Sequence, residues 1–102
     1  MTCCICKNQE NINNHFCDNC RVQLKNKWIV YILTCSDNTL YTGMTNDLYN
    51  RLLTHNKGDG AKYTRGRTPV ILFKYYPVET KSLALQLEII IKRLSRKEKL
   101  AL

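Results

Sequence analysis

Apolar patterning in this chain begins at Trp28. Trp28-Ile29-Val30-Tyr31-Ile32-Leu33-Thr34 is β-branched and aromatic, the composition of a buried strand. Ser36-Asp37-Asn38 follows as a tight turn, and Thr39–Gly43 returns as a second strand. A three-residue hairpin loop needs a left-handed residue at its end, and Asn38 can supply one. In that register Tyr31 faces Gly43 across the ladder, with Tyr41 diagonal to Tyr31 on the same face. A two-residue turn would put the tyrosines on opposite faces.

Thr45-Asn46-Asp47 offers N-cap candidates for a helix running to about Asn56, with Leu48, Leu52 and Leu53 as its apolar side. Arg51 and His55, four apart, share another face. Gly58-Asp59-Gly60 ends the helix, and a basic loop, Lys62-Tyr63-Thr64-Arg65-Gly66-Arg67, leads through Pro69 to a third strand, Val70–Tyr75. Thr80 caps a long helix whose apolar positions, Leu83, Leu87, Ile90, Ile91 and Leu94, recur at helical spacing. Ser95 with Glu98 is a capping box opening a short terminal helix, Arg96–Leu102. The order strand, strand, helix, strand, helix, helix predicts an α+β fold, a small three-stranded antiparallel sheet flanked by helices.

Residues 1–27 differ in kind: they are polar and Asn-rich, with few core-forming side chains. The expected organisation is thus a 1–27 extension and a 28–102 domain, within the size of one modest domain plus an appendage. Hydrophobic content of 44% over 102 residues is enough for a packed core and argues against global disorder. The net charge is +8, and 28–102 carries twelve basic against six acidic side chains, so most of the excess lies on the larger part. Such a surface favours a polyanion, nucleic acid above all. No apolar run reaches the roughly 20 residues of a membrane span, so no membrane partner is expected. The N-terminus has no apolar signal core, which makes the expected compartment cytoplasmic and the six cysteines a sign of metal rather than of disulfides.

Cys3 and Cys6, then Cys17 and Cys20, form two pairs with two residues inside each and ten between them. Four thiolates at that spacing suit a tetrahedral structural Zn²⁺. A segment this poor in apolar residues cannot fold by burial alone, so metal binding would have to drive its folding. Cys4 is a spare, His15 a substitute ligand, and Cys35 a small packing residue.

Tyr31, Tyr41, Arg51, His55 and Glu88 bring together phenols, a guanidinium, an imidazole and one carboxylate, the set a metal-assisted phosphodiesterase uses. Mg²⁺ keeps several waters and often takes only one or two carboxylates, so a single glutamate suffices. Arginine presents a planar fork to phosphate. A phenol with a pKa near 10 is a poor base and needs help from a cation, for which Lys62 is a candidate, or from metal-bound water. The bland readings are strand aromatics, a solvated helix face, and a Glu88–Lys92 pair worth about 0.2–0.5 kcal/mol. Against the last stands the position of Glu88, the sole acid in a run of leucines and isoleucines, where burial without a partner or metal is costly.

Trp28-Ile29-Val30-Tyr31-Ile32-Leu33, Tyr41-Thr42-Gly43-Met44-Thr45, Arg51-Leu52 with His55-Asn56, Ala61–Arg67 and Leu83–Leu102 occur in an order that resembles the GIY-YIG nuclease superfamily, in particular its small single-domain branch, similar to the catalytic domain of Slx1-type endonucleases. The first motif departs from the pattern in having Val30 before Tyr31 and no glycine, and the second has Thr42 in its middle. The resemblance implies that Tyr31 helps activate the attacking water and that Tyr41 orients water or phosphate. By the same resemblance Arg51 holds the scissile phosphate, His55 handles a proton or positions substrate, and Glu88 binds the catalytic Mg²⁺ or Mn²⁺. The implied reaction is hydrolysis of a nucleic-acid phosphodiester, with DNA the expected polymer.

Lys62, Tyr63, Arg65 and Arg67 in the basic loop and Lys92, Arg93 and Arg96 near the terminus are candidate nucleic-acid contacts, Tyr63 stacking on a base or covering the site. Two other functions fit the same residues. A silent DNA-binding module would bind in a salt-dependent way without cutting, and an adaptor would recruit a protein partner subunit through its zinc segment.

Overall fold

The computed structural model describes residues 25–102. Strand β1 (Lys25–Thr34) and strand β2 (Leu40–Asp47) form the hairpin, helix α1 (Leu48–Asn56) follows, then strand β3 (Ile71–Val78), helix α2 (Lys81–Lys92) and helix α3 (Arg96–Leu100). The sheet order is β2-β1-β3, antiparallel throughout, so the most apolar strand is the central one. The hairpin closes through Cys35 N–H to Thr39 O and Asn38 N–H to Cys35 O, both 2.9 Å, with Asn38 at φ 66°. Tyr31 pairs with Gly43, as the three-residue loop requires.

Because side chains alternate across a strand, β1 feeds two cores. Ile29, Tyr31 and Leu33 pack with Leu48, Tyr49 and Leu52 of α1 on one face. Val30 and Ile32 pack with Ala84 and Ile91 of α2 on the other. The sheet therefore lies between α1 and α2. Asp47 caps α1 by accepting from Asn50 N–H at 3.3 Å, and Gly58 at φ 85° ends it, a conformation that glycine adopts without steric cost. Asn56 then clasps the chain entering β3, its side chain accepting from Val70 N–H at 2.7 Å and donating to Val70 O at 3.3 Å.

Several boundaries differ from those the patterning predicts, beginning with β1, which starts at Lys25 rather than Trp28. β2 continues four residues past Gly43 to Asp47, with Thr45 paired to Ile29, so α1 starts directly at the strand's end. β3 runs through Pro77 to Val78 rather than stopping at Tyr75, which an edge strand tolerates because one of its sides needs no donor. α3 stops at Leu100, its Ser95–Glu98 capping box formed as expected.

The face of α2 also needs correction. Leu83 and Ile90, expected inside, are 46% and 57% exposed, and Leu85 and Ile89 are exposed too. Of the expected positions Ile91 and Leu87 do face the sheet, joined by the unexpected Ala84, with Glu88 half-buried on the same stripe. Small Ala84, fully buried, lets the helix approach the sheet closely. Among the described residues no helix is long and apolar enough to cross a membrane. Cys3, Cys6, Cys17 and Cys20, and so the proposed zinc segment, lie outside the described residues; Cys35 is buried and free.

Candidate active site

Tyr31, at the middle of β1, lies against Gly43 of β2. A Cβ on Gly43 would come within 2.6 Å of the Tyr31 hydroxyl and 2.8 Å of its Cζ, so only glycine leaves the phenol where it is. The hydroxyl sits 3.0 Å from His55 Nε2 and 3.4 Å from Arg51 Nε, both on α1. His55 is fully buried, and its Nδ1 is 2.8 Å from Thr64 Oγ1. Gly60 is packed under the imidazole so tightly that a Cβ there would meet His55 Nδ1 at 2.3 Å.

Proton positions follow from the partners available. Thr64 donates its single hydroxyl hydrogen to Ala61 O at 2.9 Å, so its oxygen accepts from His55 Nδ1–H. His55 Nε2 is then the bare nitrogen and accepts from the Tyr31 hydroxyl, whose oxygen in turn accepts from Arg51 Nε–H. A directed chain thus runs Arg51, Tyr31, His55, Thr64, Ala61.

Two titrations are displaced accordingly. Burial, and next the Arg51 guanidinium, push the pKa of His55 down to about 4. Burial pushes Tyr31 up to about 12; the Arg51 hydrogen bond and charge oppose this, while Tyr41 and Glu88 reinforce it. Arg51 is the cation acting on Tyr31, not Lys62, which is exposed and absent from these influences. At neutral pH both members of the pair are uncharged.

These shifts set the stability profile. Between about pH 4 and 6.5 the unfolded chain binds a proton at His55 that the folded chain refuses, so stability falls as pH drops through that window. At about 1.4 kcal/mol per pKa unit the loss totals roughly 3 kcal/mol. Above pH 10 the folded chain keeps the Tyr31 proton that the unfolded chain gives up, so stability falls again up to about pH 12. Urea midpoints measured from pH 4 to 7 should fall on the acid side; a flat profile there would count against a neutral buried His55.

Tyr41 is half-buried, its ring 5.5 Å from His55, 6.4 Å from Tyr31 and 5.8 Å from Tyr63 between centroids. Its hydroxyl makes no hydrogen bond among the described residues. Tyr63 stacks on Tyr41, and the Arg67 guanidinium lies 4.1 Å over the Tyr63 ring. Arg67 in turn is tied to Asp37 at 2.9 Å and to Tyr63 O at 2.6 Å. Arg65 donates to Gly60 O at 3.4 Å.

Glu88 projects from α2, and its charge is felt at Tyr31 although the two lie in different layers. Lys92 Nζ, half-exposed, is 3.3 Å from it. Among the described residues no group of three His, Cys, Asp or Glu side chains could hold a metal on its own. Arg93 and Arg96 are exposed, Arg96 donating to Asn38 O at the hairpin tip.

The structure thus gathers Tyr31, Tyr41, Arg51 and His55 tightly, with Glu88 acting on Tyr31 through its charge from the α2 layer and Arg67 held over Tyr63. Sequence reasoning missed Thr64 and Gly60. The signal was present, a hydroxyl nine residues after His55 and a second glycine in Gly58-Asp59-Gly60, but nothing in the local pattern ties either to an imidazole.

Residues 27–101 match the GIY-YIG catalytic domain, and the chain belongs to this family. It is 54% identical over 74 residues to a UPF0213 protein of Bacillus velezensis, covering 72% of this chain and 75% of that one. A UPF0213 protein of Halobacterium salinarum is 55% identical over 73 residues, covering 72% and 95%. Among solved structures, an NMR structure of an E. faecalis protein superposes with a TM-score of 0.54 at 40% identity, covering 76% of this chain and 82% of that one.

Proposed function

We propose that the chain is a divalent-metal-dependent endonuclease that hydrolyses nucleic-acid phosphodiester bonds, with DNA as its substrate. The observation that supports it most is the directed chain through Tyr31 and His55. A phenol held at a pKa of about 12 cannot by itself take a proton from water near neutrality. Paired with a bare imidazole nitrogen at 3.0 Å, it can pass one on. In this reading water delivers its proton to the Tyr31 oxygen as Tyr31 delivers its own to His55 Nε2. The hydroxide so formed attacks phosphorus as the P–O bond to the leaving sugar oxygen breaks, and that oxygen takes a proton from solvent. Thr64 holds the imidazole in the tautomer that leaves Nε2 bare. Arg51 keeps its Nε on the phenol, while its two Nη groups make no hydrogen bond among the described residues and are free to fork onto the phosphate. The Tyr41 hydroxyl, which makes no hydrogen bond among the described residues, can orient the water or a phosphate oxygen.

Glu88 fits the role of carboxylate ligand to Mg²⁺ or Mn²⁺. It is half-buried, and its one ion-pair partner among the described residues is the half-exposed Lys92. One carboxylate supplemented by water and phosphate oxygens is an ordinary Mg²⁺ environment. When bound, the ion supplies Lewis-acid stabilisation of charge on the phosphate. Cleavage of labelled branched, flap and single-stranded DNA with either metal tests the proposal. Salt-dependent binding without any cutting would replace it with a silent binding module.

The four N-terminal cysteines are proposed to hold one structural Zn²⁺, which shields the domain or recruits a protein partner subunit. Metal analysis of the full chain should find one zinc per chain, lost in a Cys17→Ser/Cys20→Ser variant; a metal-free wild type would remove this part of the proposal.

A further inference from the structure

Beside the aromatic stack, and outside the chain of proton donors, the structure holds a cavity of about 230 Å³ lined by Thr39, Leu40, Tyr63, Arg96 and Lys99. A larger hollow of about 420 Å³ lies elsewhere, among Asn26–Trp28 and Pro77–Glu79, and contains none of the proposed catalytic groups. The smaller cavity meets the site through Tyr63, which lines it and stacks on Tyr41.

Its cations differ from their neighbours. Two ion pairs form among the described residues, and they consume Arg67 and Lys92. Arg96 is held only by a carbonyl, Asn38 O, and Lys99 has no carboxylate within ion-pair distance among the described residues. α3 thus brings to the cavity two cations without a carboxylate partner among the described residues, Arg96 reaching Asn38 at the hairpin tip across 58 residues of sequence. Leu40 and the edge of the Tyr63 ring supply apolar surface, and because the Thr39 hydroxyl is spent on Asp37 Oδ1 at 2.6 Å, the donors available to a phosphate are Arg96 and Lys99. An apolar wall edged by two cations suits a nucleotide's sugar and phosphate, and carries no donor pattern for reading a base.

We propose that this cavity is a substrate subsite that holds the sugar-phosphate of the nucleotide next to the scissile bond, with Arg96 and Lys99 as the phosphate-binding residues. The inference rests on the nuclease reading for its place in the reaction, and on the cavity for its chemistry. It makes α3 the element that positions the strand.

The test compares wild type, Arg96→Ala/Lys99→Ala and the control Lys97→Ala, which changes an exposed cation on the same helix outside the cavity. Binding of a labelled single-stranded oligonucleotide is read across salt concentrations, and cleavage as KM and kcat. The double variant should bind at least tenfold more weakly, with a salt slope lowered by one to two and KM raised more than kcat falls. Lys97→Ala should stay within twofold, and Arg96→Lys should recover most of the slope. A double variant indistinguishable from wild type, or one no weaker than Lys97→Ala, overturns the subsite while leaving the nuclease reading intact. Weakened binding in a protein that never cuts keeps Arg96 and Lys99 as phosphate-binding residues but overturns their place beside a scissile bond, together with the nuclease reading. A wild type that binds no nucleic acid overturns both.

Discussion

Glu88→Ala is expected to keep the fold and lose cleavage by about a thousandfold or more, the scale of several kcal/mol of charge stabilisation. The two effects separate because the only ion pair Glu88 makes among the described residues is with a half-exposed lysine four positions on, at 3.3 Å. An i,i+4 pair with a half-exposed lysine contributes about 0.3–0.5 kcal/mol to folding, too little to explain a lost activity through stability. Binding of DNA should persist, since removing a negative charge does not weaken attraction to a polyanion. Glu88→Gln keeps size and polarity without the charge, and should be nearly as inactive. A Glu88→Ala enzyme cutting at the wild-type rate in Mg²⁺ would end the single-carboxylate reading.

Tyr31→Phe should cost about 10²–10⁴-fold in kcat, the range of a lost proton-transfer group. It keeps the ring in the core and leaves His55 Nε2 without a donor, a penalty of about 1–3 kcal/mol that urea unfolding would register. Thr64→Val removes the acceptor that fixes the His55 tautomer, and should lower kcat by a smaller factor, about 10–100. In wild type, kcat/KM should fall on the acid side near pH 4, where His55 gains its proton, rather than near the ordinary 6.5. A Tyr31→Phe protein with full activity, or an acid limb centred near 6.5, would separate the relay from the chemistry.

The hairpin was legible because two independent rules agreed on it. Turn chemistry put a left-handed residue at Asn38, and strand alternation put Tyr31 opposite Gly43. The capping box of α3 was equally local. α2 was misread because seven of its twelve residues are apolar, distributed around the helix, so periodicity alone does not choose a face. Ala84 chose it, through closeness of packing. The site was legible as a list of residue types, but not as a directed network. Burial of His55 depends on a loop folding back so that Thr64 meets its Nδ1 over Gly60, and that contact leaves no periodic trace.

The sandwich has a mechanical consequence. Tyr31 and His55 belong to the layer that α1 covers, whereas Glu88 belongs to the helix on the far side of a three-stranded sheet. On the proposed reading, the separation between proton relay and metal ligand is therefore an interlayer spacing, gauged by the one buried methyl group of Ala84. Bulk added there would move α2 outward and pull the two halves of the site apart, detuning catalysis while every hydrogen bond around Tyr31 stays in place.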